Sequence, residues 1–480
     1  MQTTVEDIQR IAAQAARASD LWAATPADQR GRTLIVIADA LDAAAGQLIP
    51  LAQAETNLAE GRLQGELKRT TFQLRLFAEV LADGSYLDAR IDQADGEWPM
   101  GAPRPDLRRI LTSVGPVVVF AASNFPFAFS VAGGDTASAL AAGSAVILKA
   151  HSGHLELSQA TATVVIDALA AAGAPDGLFT LIIGTEAGRL ALRHPAVKAG
   201  AFTGSIGGGR ALFDIAQARP EPIPFYGELG SVNPVFVTEA AAAARTSSIV
   251  SEFVGSFTMG AGQFCTKPGV LFAPRASTVA EELSQAPLPP AARMLNARIQ
   301  RGYTETLGTL QGHADVRVLA SSEGIVADPP TPTILVTDID AVLRDPHTIV
   351  TEVFGPTALV VEYDDEAQLL EVARVIDGQL TATIVGEDSD AIAPELIRLL
   401  AKRAGRLLWN QWPTGVSVTY AQQHGGPYPA TTATSSTSVG TAAIERFLRP
   451  VAYQGLPQHL LPAELRDDNP LAVPQRVNGK

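Results

Sequence analysis

The chain has 480 residues, enough for two or three domains, and 46% of them are hydrophobic, which excludes an intrinsically disordered protein. Its 36 basic and 50 acidic residues give a net charge of −14, which argues against a nucleic-acid-binding protein. No apolar run approaches the ~20 residues of a transmembrane helix, so no membrane segment is predicted. Cys265 is the single cysteine and the N-terminus shows no secretory signal, so we expect a cytoplasmic protein without disulfides.

Helices are predicted first along the chain, over residues 5–81. Apolar residues such as Leu34, Ile37 and Leu41 recur there at helical spacing, among alanine, glutamate and arginine. Residues 26–28 predict a helix start because proline is favoured there, and Gly84 marks the end of the helical block.

Strand-like apolar runs then alternate with helical stretches of ten or more residues. The predicted strands lie at residues 111–123, 143–150, 178–184, 197–205, 234–237, 270–273, 357–361, 382–385 and 406–409. Such alternation predicts βαβ units and a doubly wound parallel sheet, which is an α/β fold. Residues 275–290 predict a surface connection. Residues 448–479 are too poor in apolar side chains to fold alone, so we expect them to dock elsewhere.

Cys265 lies in the segment GQFCTKPG, residues 262–269. A lone cysteine is usually a buried structural residue. The flanking glycines and Pro268 instead favour a loop, on which an exposed thiolate can act as a nucleophile. None of the seven histidines is close to Cys265 in sequence. His151 and His154 are most simply polar residues at a helix start, and without any metal-binding motif no metal site is predicted.

Three further segments each allow a functional and a structural interpretation. FTGSIGGG, residues 202–209, follows a strand and suits either a pyrophosphate site or a tight turn with Ser205 as the helix cap. Glu228, in GELGSVNP, is either a mobile carboxylate beside a site or an ordinary surface residue. Asn124, in SNFPF, is either a donor to an oxyanion or a turn residue.

Taken in order, these segments resemble the aldehyde dehydrogenase superfamily over nearly the whole chain. The ordered set is SNFPF, a strand ending at Lys149, FTGS, ELG, GQFCT, EVFGP at residues 352–356, and Asn410. The chain is most similar to 2-oxoglutarate semialdehyde (2,5-dioxovalerate) dehydrogenases, with NADP-linked fatty aldehyde dehydrogenases as close neighbours. That narrower resemblance rests on KAHSGH at residues 149–154, the glycine- and alanine-rich residues 125–143, HGGPYPATT at residues 424–432, and residues 437–454.

The resemblance implies NAD(P)-dependent oxidation of an aldehyde to a carboxylate. Cys265 attacks the aldehyde carbon as a thiolate, and the side-chain amide of Asn124 stabilises the oxyanion together with the Cys265 backbone N–H. Loss of hydride leaves a thioester, and Glu228 then activates the water that hydrolyses it.

The resemblance also implies the residues that bind the cofactor. Lys149 contacts the adenosine ribose, Ser205 meets the pyrophosphate, and Glu352 binds the nicotinamide ribose with Phe354 beside the ring. Ser152 stands where many NAD-preferring members carry a glutamate that repels a 2′-phosphate. With Arg210 at the start of the same helix as Ser205, this predicts that NADP is accepted at least comparably with NAD.

For the domains, the resemblance implies a cofactor-binding domain over residues 1–250, with arm strands near residues 89–111. A catalytic domain over residues 251–445 and a C-terminal oligomerisation arm over residues 446–480 complete the chain. A homodimer or homotetramer is expected, acting on a small-molecule aldehyde.

Several alternatives remain open. An acylating relative passes the thioester to coenzyme A or phosphate, and a protein of the same fold can be purely structural. Glu228 in the ELG motif argues against the acylating relative, and intact Cys265, Glu228 and Asn124 argue against the structural protein. A cofactor-free cysteine hydrolase is a further alternative. Residues 430–438 offer hydroxyl groups but no basic residue for a substrate carboxylate. A medium- or long-chain fatty aldehyde therefore remains a second substrate class.

Overall fold

The computed structural model of the chain describes residues 2–321 and 329–480. The α-helices are α1 (Val5–Ala23), α2 (Ala27–Ala43), α3 (Ala45–Thr56), α4 (Glu60–Asp83), α5 (Gly134–Ala142), α6 (Leu155–Ala171), α7 (Thr185–Arg193), α8 (Ile206–Gln217), α9 (Glu239–Thr258), α10 (Val279–Gln285), α11 (Ala297–Gln311), α12 (Ile339–Arg344), α13 (Pro346–Ile349), α14 (Ala367–Val375) and α15 (Ala393–Leu400). The strands are β1 (Ala89–Asp92), β2 (Leu107–Ser113), β3 (Val117–Phe120), β4 (Val146–Lys149), β5 (Phe179–Ile182), β6 (Ala199–Thr203), β7 (Phe225–Glu228), β8 (Val235–Val237), β9 (Val270–Pro274), β10 (Arg317–Ser321), β11 (Thr333–Asp338), β12 (Thr357–Tyr363), β13 (Gln379–Val385), β14 (Ala404–Trp409), β15 (Leu448–Gln454) and β16 (Gln475–Val477).

The N-terminal block is helical, as predicted, and consists of α1 to α4. Pro26 caps the start of α2, and Gly84 ends α4 in the left-handed conformation at φ 75°. Within the described residues no single helix has the length and apolarity to cross a membrane. The pair α2 and α3, bent by 69°, meets that test by length and composition only.

A five-stranded parallel sheet forms the first α/β layer, with strand order β5-β4-β3-β6-β7. Helices α6, α7 and α8 connect its strands, so the predicted βαβ alternation is confirmed. Lys149 lies at the carboxyl end of β4 and pairs in register with Phe120, while Glu228 ends β7 beside Thr203. Parallel sheets bind ligands at this carboxyl edge, so the fold places two predicted site residues along one side.

A seven-stranded sheet forms the second layer, in the order β10-β11-β12-β9-β8-β13-β14. All its pairs are parallel except β10 with β11. Buried side chains pack on both faces, which explains why its central strands are almost continuously apolar. Our sequence reasoning missed β10 and β11. Residues 275–290 are more than a surface connection, because α10 forms there and buries Val279 and Leu283.

The third sheet has four strands in the order β15-β2-β1-β16. As expected, the C-terminal residues dock rather than fold alone, because β15 pairs along the whole of β2 and β16 pairs with β1. The predicted strand at 111–123 is in fact two strands, β2 and β3, in different sheets. Gly115, at φ 110°, makes the turn between them, a conformation that favours glycine. The domain limits at residues 250 and 445 stay predictions.

Candidate active site

Cys265 lies on a tightly held loop between α9 and β9. The loop begins at Gly262, where φ is 67° and a side chain would place its Cβ 2.1 Å from the Gly355 carbonyl oxygen. Only glycine fits this close approach. The side-chain amide of the buried Asn233 donates to the carbonyl oxygens of Cys265 at 2.8 Å and Lys267 at 2.9 Å. The nucleophile candidate therefore stands on a fixed backbone.

Lys267 connects this loop to the EVFGP segment. Its buried ammonium donates to the carbonyl oxygens of Val353 at 2.6 Å, Gly355 at 3.2 Å and Thr357 at 2.7 Å. Burial lowers the pKa of Lys267 to about 8, although the negative charge of Glu352 opposes this decrease. Burial likewise raises the pKa of Glu352 to about 7, while the charge of Lys267 and a backbone hydrogen bond oppose the rise.

Three side chains meet beside the loop: Cys265, His424 and Glu228. The Sγ atom of Cys265 is 3.5 Å from Nε2 of His424, and the same nitrogen is 2.8 Å from Oε1 of Glu228. The hydroxyl of Ser438 donates to Oε2 of Glu228. The side chains of His424 and Glu228 are 0% and 3% exposed, so the cluster is shielded from bulk solvent. Sequence reasoning assigned His424 no role, although the HGGPYPATT segment begins with it.

The pKa values of Cys265 and Glu228 are shifted in opposite directions within the cluster. Burial, followed by the negative charges of Glu228 and Glu352, raises the pKa of the Cys265 thiol well above its ordinary value. Burial alone would also raise the pKa of Glu228. The charge and hydrogen bond of His424, with the hydroxyl of Ser438, outweigh burial and lower it. The free protein therefore holds a protonated thiol beside an ionised carboxylate.

One nitrogen of His424, Nε2, lies close to both neighbours, 3.5 Å from Sγ of Cys265 and 2.8 Å from Oε1 of Glu228. Its other nitrogen, Nδ1, is buried with no hydrogen-bond partner in the described part of the chain. The donor atoms of the three residues lie within 4.8 Å of one another, a spacing that a metal ion also accepts. The predicted lack of a metal site stays a prediction.

Asn124 also forms a hydrogen bond with the Cys265 loop. It follows β3, is buried, and donates from Nδ2 to the backbone oxygen of Gln263 at 3.2 Å, two residues before Cys265. Its own backbone oxygen accepts from Nη2 of Arg62 at 2.6 Å. The structure thus brings the three predicted catalytic residues together at one loop.

A cavity of about 260 Å³ has Cys265 in its wall. Phe125, Phe129 and Phe264 supply aromatic surface, and the rings of Phe125 and Phe264 meet edge to face at 5.3 Å. Two arginines of α4, Arg62 and Arg69, line the cavity as well. A small molecule in this cavity therefore reaches the thiol over a surface that is largely apolar and partly cationic.

Comparison with known proteins decides the family. Residues 1–286 match the sequence model of the aldehyde dehydrogenase family. The alpha-ketoglutaric semialdehyde dehydrogenase of Acinetobacter baylyi is 43% identical over 487 aligned residues, which cover 100% of this chain and 92% of that protein. The chain belongs to the aldehyde dehydrogenase family.

Two further comparisons agree with this aldehyde dehydrogenase assignment. Alpha-ketoglutaric semialdehyde dehydrogenase 2 of Azospirillum brasilense is 46% identical, with 99% of this chain and 91% of that protein aligned. The crystal structure of lactaldehyde dehydrogenase from Escherichia coli matches with a TM-score of 0.81 at 19% identity, covering 95% of this chain and 92% of that one. The predicted α/β fold and the reaction class, NAD(P)-dependent oxidation of an aldehyde, are confirmed.

The residues expected to bind the aldehyde dehydrogenase cofactor lie on three elements. Ser205 caps α8, accepting the Gly208 N–H at 3.3 Å, and the first turn of this helix is exposed. An exposed helix N-terminus suits a pyrophosphate. Glu352 is close to Gly230, where a Cβ would lie 2.3 Å from Oε2, and the half-buried Phe354 follows it. These donors and surfaces fit a dinucleotide.

Lys149 and Ser152 are the residues predicted to lie at the adenosine end of the cofactor. Lys149 is half-buried at the end of β4, and Ser152 is exposed in the following loop. Burial, with the nearby charge of Arg298, lowers the pKa of Lys149. Arg210 instead donates from Nε to Asp214 at 2.9 Å, with both side chains about half exposed. Arg298, which sequence reasoning did not name, is exposed at the start of α11.

Proposed function

We propose that this aldehyde dehydrogenase oxidises 2-oxoglutarate semialdehyde to 2-oxoglutarate through a thioester on Cys265. The observation that carries the mechanism is the shared contact of His424 with Sγ of Cys265 and the carboxylate of Glu228. The substrate rests on the two relatives of 43% and 46% identity, both named for alpha-ketoglutaric semialdehyde.

In the first half-reaction Nε2 of His424 accepts the thiol proton, and Glu228 stays ionised beside it. The departing sulfur takes this proton back when the thioester is hydrolysed. Sγ of Cys265 then bonds to the aldehyde carbon, and the carbonyl oxygen becomes an oxyanion. Asn124, which is tied to the Cys265 loop through Gln263, turns its amide to this oxygen together with the Cys265 backbone N–H. The Cys265 N–H lies on the fixed loop, and Asn124, which follows β3, is held beside that loop by its contact with Gln263.

NAD(P), when bound, would supply the acceptor for the hydride of the same carbon, and Ser205 and Glu352 would hold it. Cys265 now carries the acyl group as a thioester. In the second half-reaction Glu228 takes a proton from water, the resulting hydroxide adds to the acyl carbon, and the thiol is released with the carboxylate product. The lowered pKa of Glu228 keeps it ionised and ready to accept this proton.

We further propose that the enzyme uses NADP at least comparably with NAD. Ser152 is exposed and uncharged, so nothing at that position repels a 2′-phosphate. Lys149 and Arg298 supply positive charge nearby. Arg210, paired with Asp214, is the weaker candidate for a phosphate contact. Homo-oligomerisation through the four-stranded sheet and a cytoplasmic location are also proposals.

A medium- or long-chain fatty aldehyde is the second candidate substrate. The three phenylalanines of the cavity and Val416 favour an apolar chain. An acylating reaction and a structural role are weaker alternatives, because each leaves Glu228 beside Cys265 without a purpose. A cofactor-free hydrolase is weaker because the chain belongs to the aldehyde dehydrogenase family.

The experiment is a comparison of aldehydes by the absorbance of the reduced nicotinamide. The proposal predicts a higher kcat/KM for 2-oxoglutarate semialdehyde than for pentanal or decanal, with no need for coenzyme A or phosphate. A preference for decanal would favour the second candidate, and dependence on coenzyme A would favour the acylating reaction. Absence of turnover with every aldehyde would contradict the proposal.

A further inference from the structure

The cavity beside Cys265 contains cationic groups that the mechanism does not use. Arg62, Glu66 and Arg69 line it from successive turns of one face of α4. Both terminal nitrogens of Arg69 and Nη1 of Arg62 are buried, with no hydrogen-bond partner among the described residues. Buried guanidinium nitrogens without partners are costly, so this arrangement indicates a ligand that supplies acceptors.

Glu66 does not neutralise the pair. Its Oε1 accepts the backbone N–H groups of Phe127 at 2.8 Å and Ala128 at 3.0 Å, so its position is fixed by the backbone. No ion pair within 4.0 Å joins it to Arg62 or Arg69 in the described part of the chain. With Glu66 ionised, the three side chains carry one net positive charge, and with Glu66 protonated they carry two.

The two arginines are held by different contacts. Arg62 lies over the rings of Phe125 at 5.1 Å and Phe264 at 4.6 Å and donates one nitrogen to Asn124, which leaves Nη1 for a ligand. Arg69 lies over the ring of Phe129 at 5.3 Å, and both its Nη atoms lack partners. A planar fork with two free donors matches a carboxylate.

The charge of Arg69 also interacts with Cys265 and Glu228. Burial lowers the pKa of Arg69, and the negative charges of Glu66, Cys265 and Glu228 oppose this. Both Arg69 and Cys265 line the one cavity of about 260 Å³. A short substrate with an aldehyde at one end and an anion at the other therefore spans the two groups.

We propose that Arg69, assisted by Nη1 of Arg62, binds the carboxylate of the semialdehyde substrate, given the function proposed above. The substrate class is thus a short ω-oxo carboxylate monoanion. This site replaces the basic residue that is missing from residues 430–438, and it is supplied by a helix far away in sequence. A long apolar aldehyde would leave both Nη atoms of Arg69 and Nη1 of Arg62 buried without partners.

The test compares 2-oxoglutarate semialdehyde with pentanal, an uncharged aldehyde of the same carbon number, in the full-length enzyme. Arg69→Met should lower the ratio of kcat/KM for the two substrates by a factor on the order of 10 to 150, mainly through KM of the semialdehyde. Arg69→Lys should give an intermediate loss, because lysine keeps the charge but not the fork. Lys68→Met, an exposed neighbour on α4, is the matched control and should keep the ratio.

A second measurement needs no variant. The methyl ester of 2-oxoglutarate semialdehyde keeps the shape of the substrate but carries no charge. The wild-type KM should therefore be higher for the ester than for the acid, by a factor similar to that by which Arg69→Met raises KM for the acid. Equal KM values for ester and acid, or an unchanged ratio in Arg69→Met, would overturn the role of Arg69. A wild-type enzyme that prefers pentanal would instead overturn the proposed function, whatever the variants do.

Discussion

Nε2 of His424 lies 2.8 Å from Oε1 of Glu228, and both side chains are almost completely buried. This contact, together with the hydroxyl of Ser438, offsets the cost of burying the Glu228 carboxylate and lowers its pKa. In the proposed mechanism Glu228 is needed as a base only after the thioester forms. These contacts keep it ionised although it is buried. His424 is thus proposed as a positioning residue for Glu228 and as a partner for the Cys265 thiol.

His424→Gln should shift the pH profile of thioester hydrolysis. Without the histidine, burial prevails and the pKa of Glu228 rises, so the ionised base is lost at a higher pH than in the wild type. We expect kcat of the variant to fall on the acidic side at a higher pH than kcat of the wild type does. Ser438→Ala should show a smaller shift of the same sign. An unmoved acidic limb in His424→Gln would contradict the positioning role.

Cys265→Ser should reduce aldehyde oxidation to below ~10⁻² of the wild-type rate, because a serine alkoxide is scarce at neutral pH. Binding of NADP, followed by fluorescence quenching, should change little, since Cys265 lies in the wall of the aldehyde cavity. A variant that keeps a tenth of the wild-type rate would show that another group is the nucleophile.

Ser152→Glu should shift cofactor preference toward NAD, because a carboxylate repels the 2′-phosphate of NADP. Arg298→Ala should lower kcat/KM for NADP about 10-fold or more, the size of a lost charge-assisted hydrogen bond. The loss in Arg210→Ala should be smaller, since Asp214 already pairs with that arginine. The comparison uses kcat/KM for both cofactors at saturating aldehyde. A wild-type preference for NAD beyond about tenfold, or ~1.4 kcal/mol, would contradict this assignment.

Lys267→Met should lower the free energy of unfolding by at least about 3 kcal/mol, measured in urea. The substitution removes the donor for the carbonyl oxygens of Val353, Gly355 and Thr357, which stay buried. The control is Lys198→Met, which breaks a surface ion pair with Glu221 and should cost no more than about 1 kcal/mol. Equal losses in the two variants would show that the Lys267 contacts do not hold the loop.

Sequence patterns predicted the helices and most of the parallel strands because burial on both faces leaves a continuous apolar signature. They merged β2 with β3, since the run of apolar residues crosses the turn at Gly115. The patterns also missed β11, although its sequence TILVTD is apolar and β-branched. Its position between β10 and β12 depends on pairing with other segments, which a local pattern does not show.

For the site, too, local sequence patterns predicted some residues and not others. Motif order located Cys265, Glu228 and Asn124, each within three residues of a glycine or proline. His424, Arg69 and Arg298 were not predicted because the roles proposed for them depend on segments far apart in sequence. A histidine or arginine has no local signature when its neighbours come from a distant part of the chain. The first residue of HGGPYPATT was the one available signal for His424.

The most direct test of the central claim is the mass of Glu228→Gln after one turnover with 2-oxoglutarate semialdehyde and NADP. Glutamine keeps the size of glutamate but cannot accept a proton from water, so hydride transfer should proceed and hydrolysis should stall. We predict a burst of NADPH close to one per active site, and an added mass on the Cys265 peptide equal to the aldehyde minus two hydrogens. Full turnover without an acyl adduct, or loss of the burst itself, would contradict the assignment of Cys265 as nucleophile and Glu228 as the base that hydrolyses its thioester.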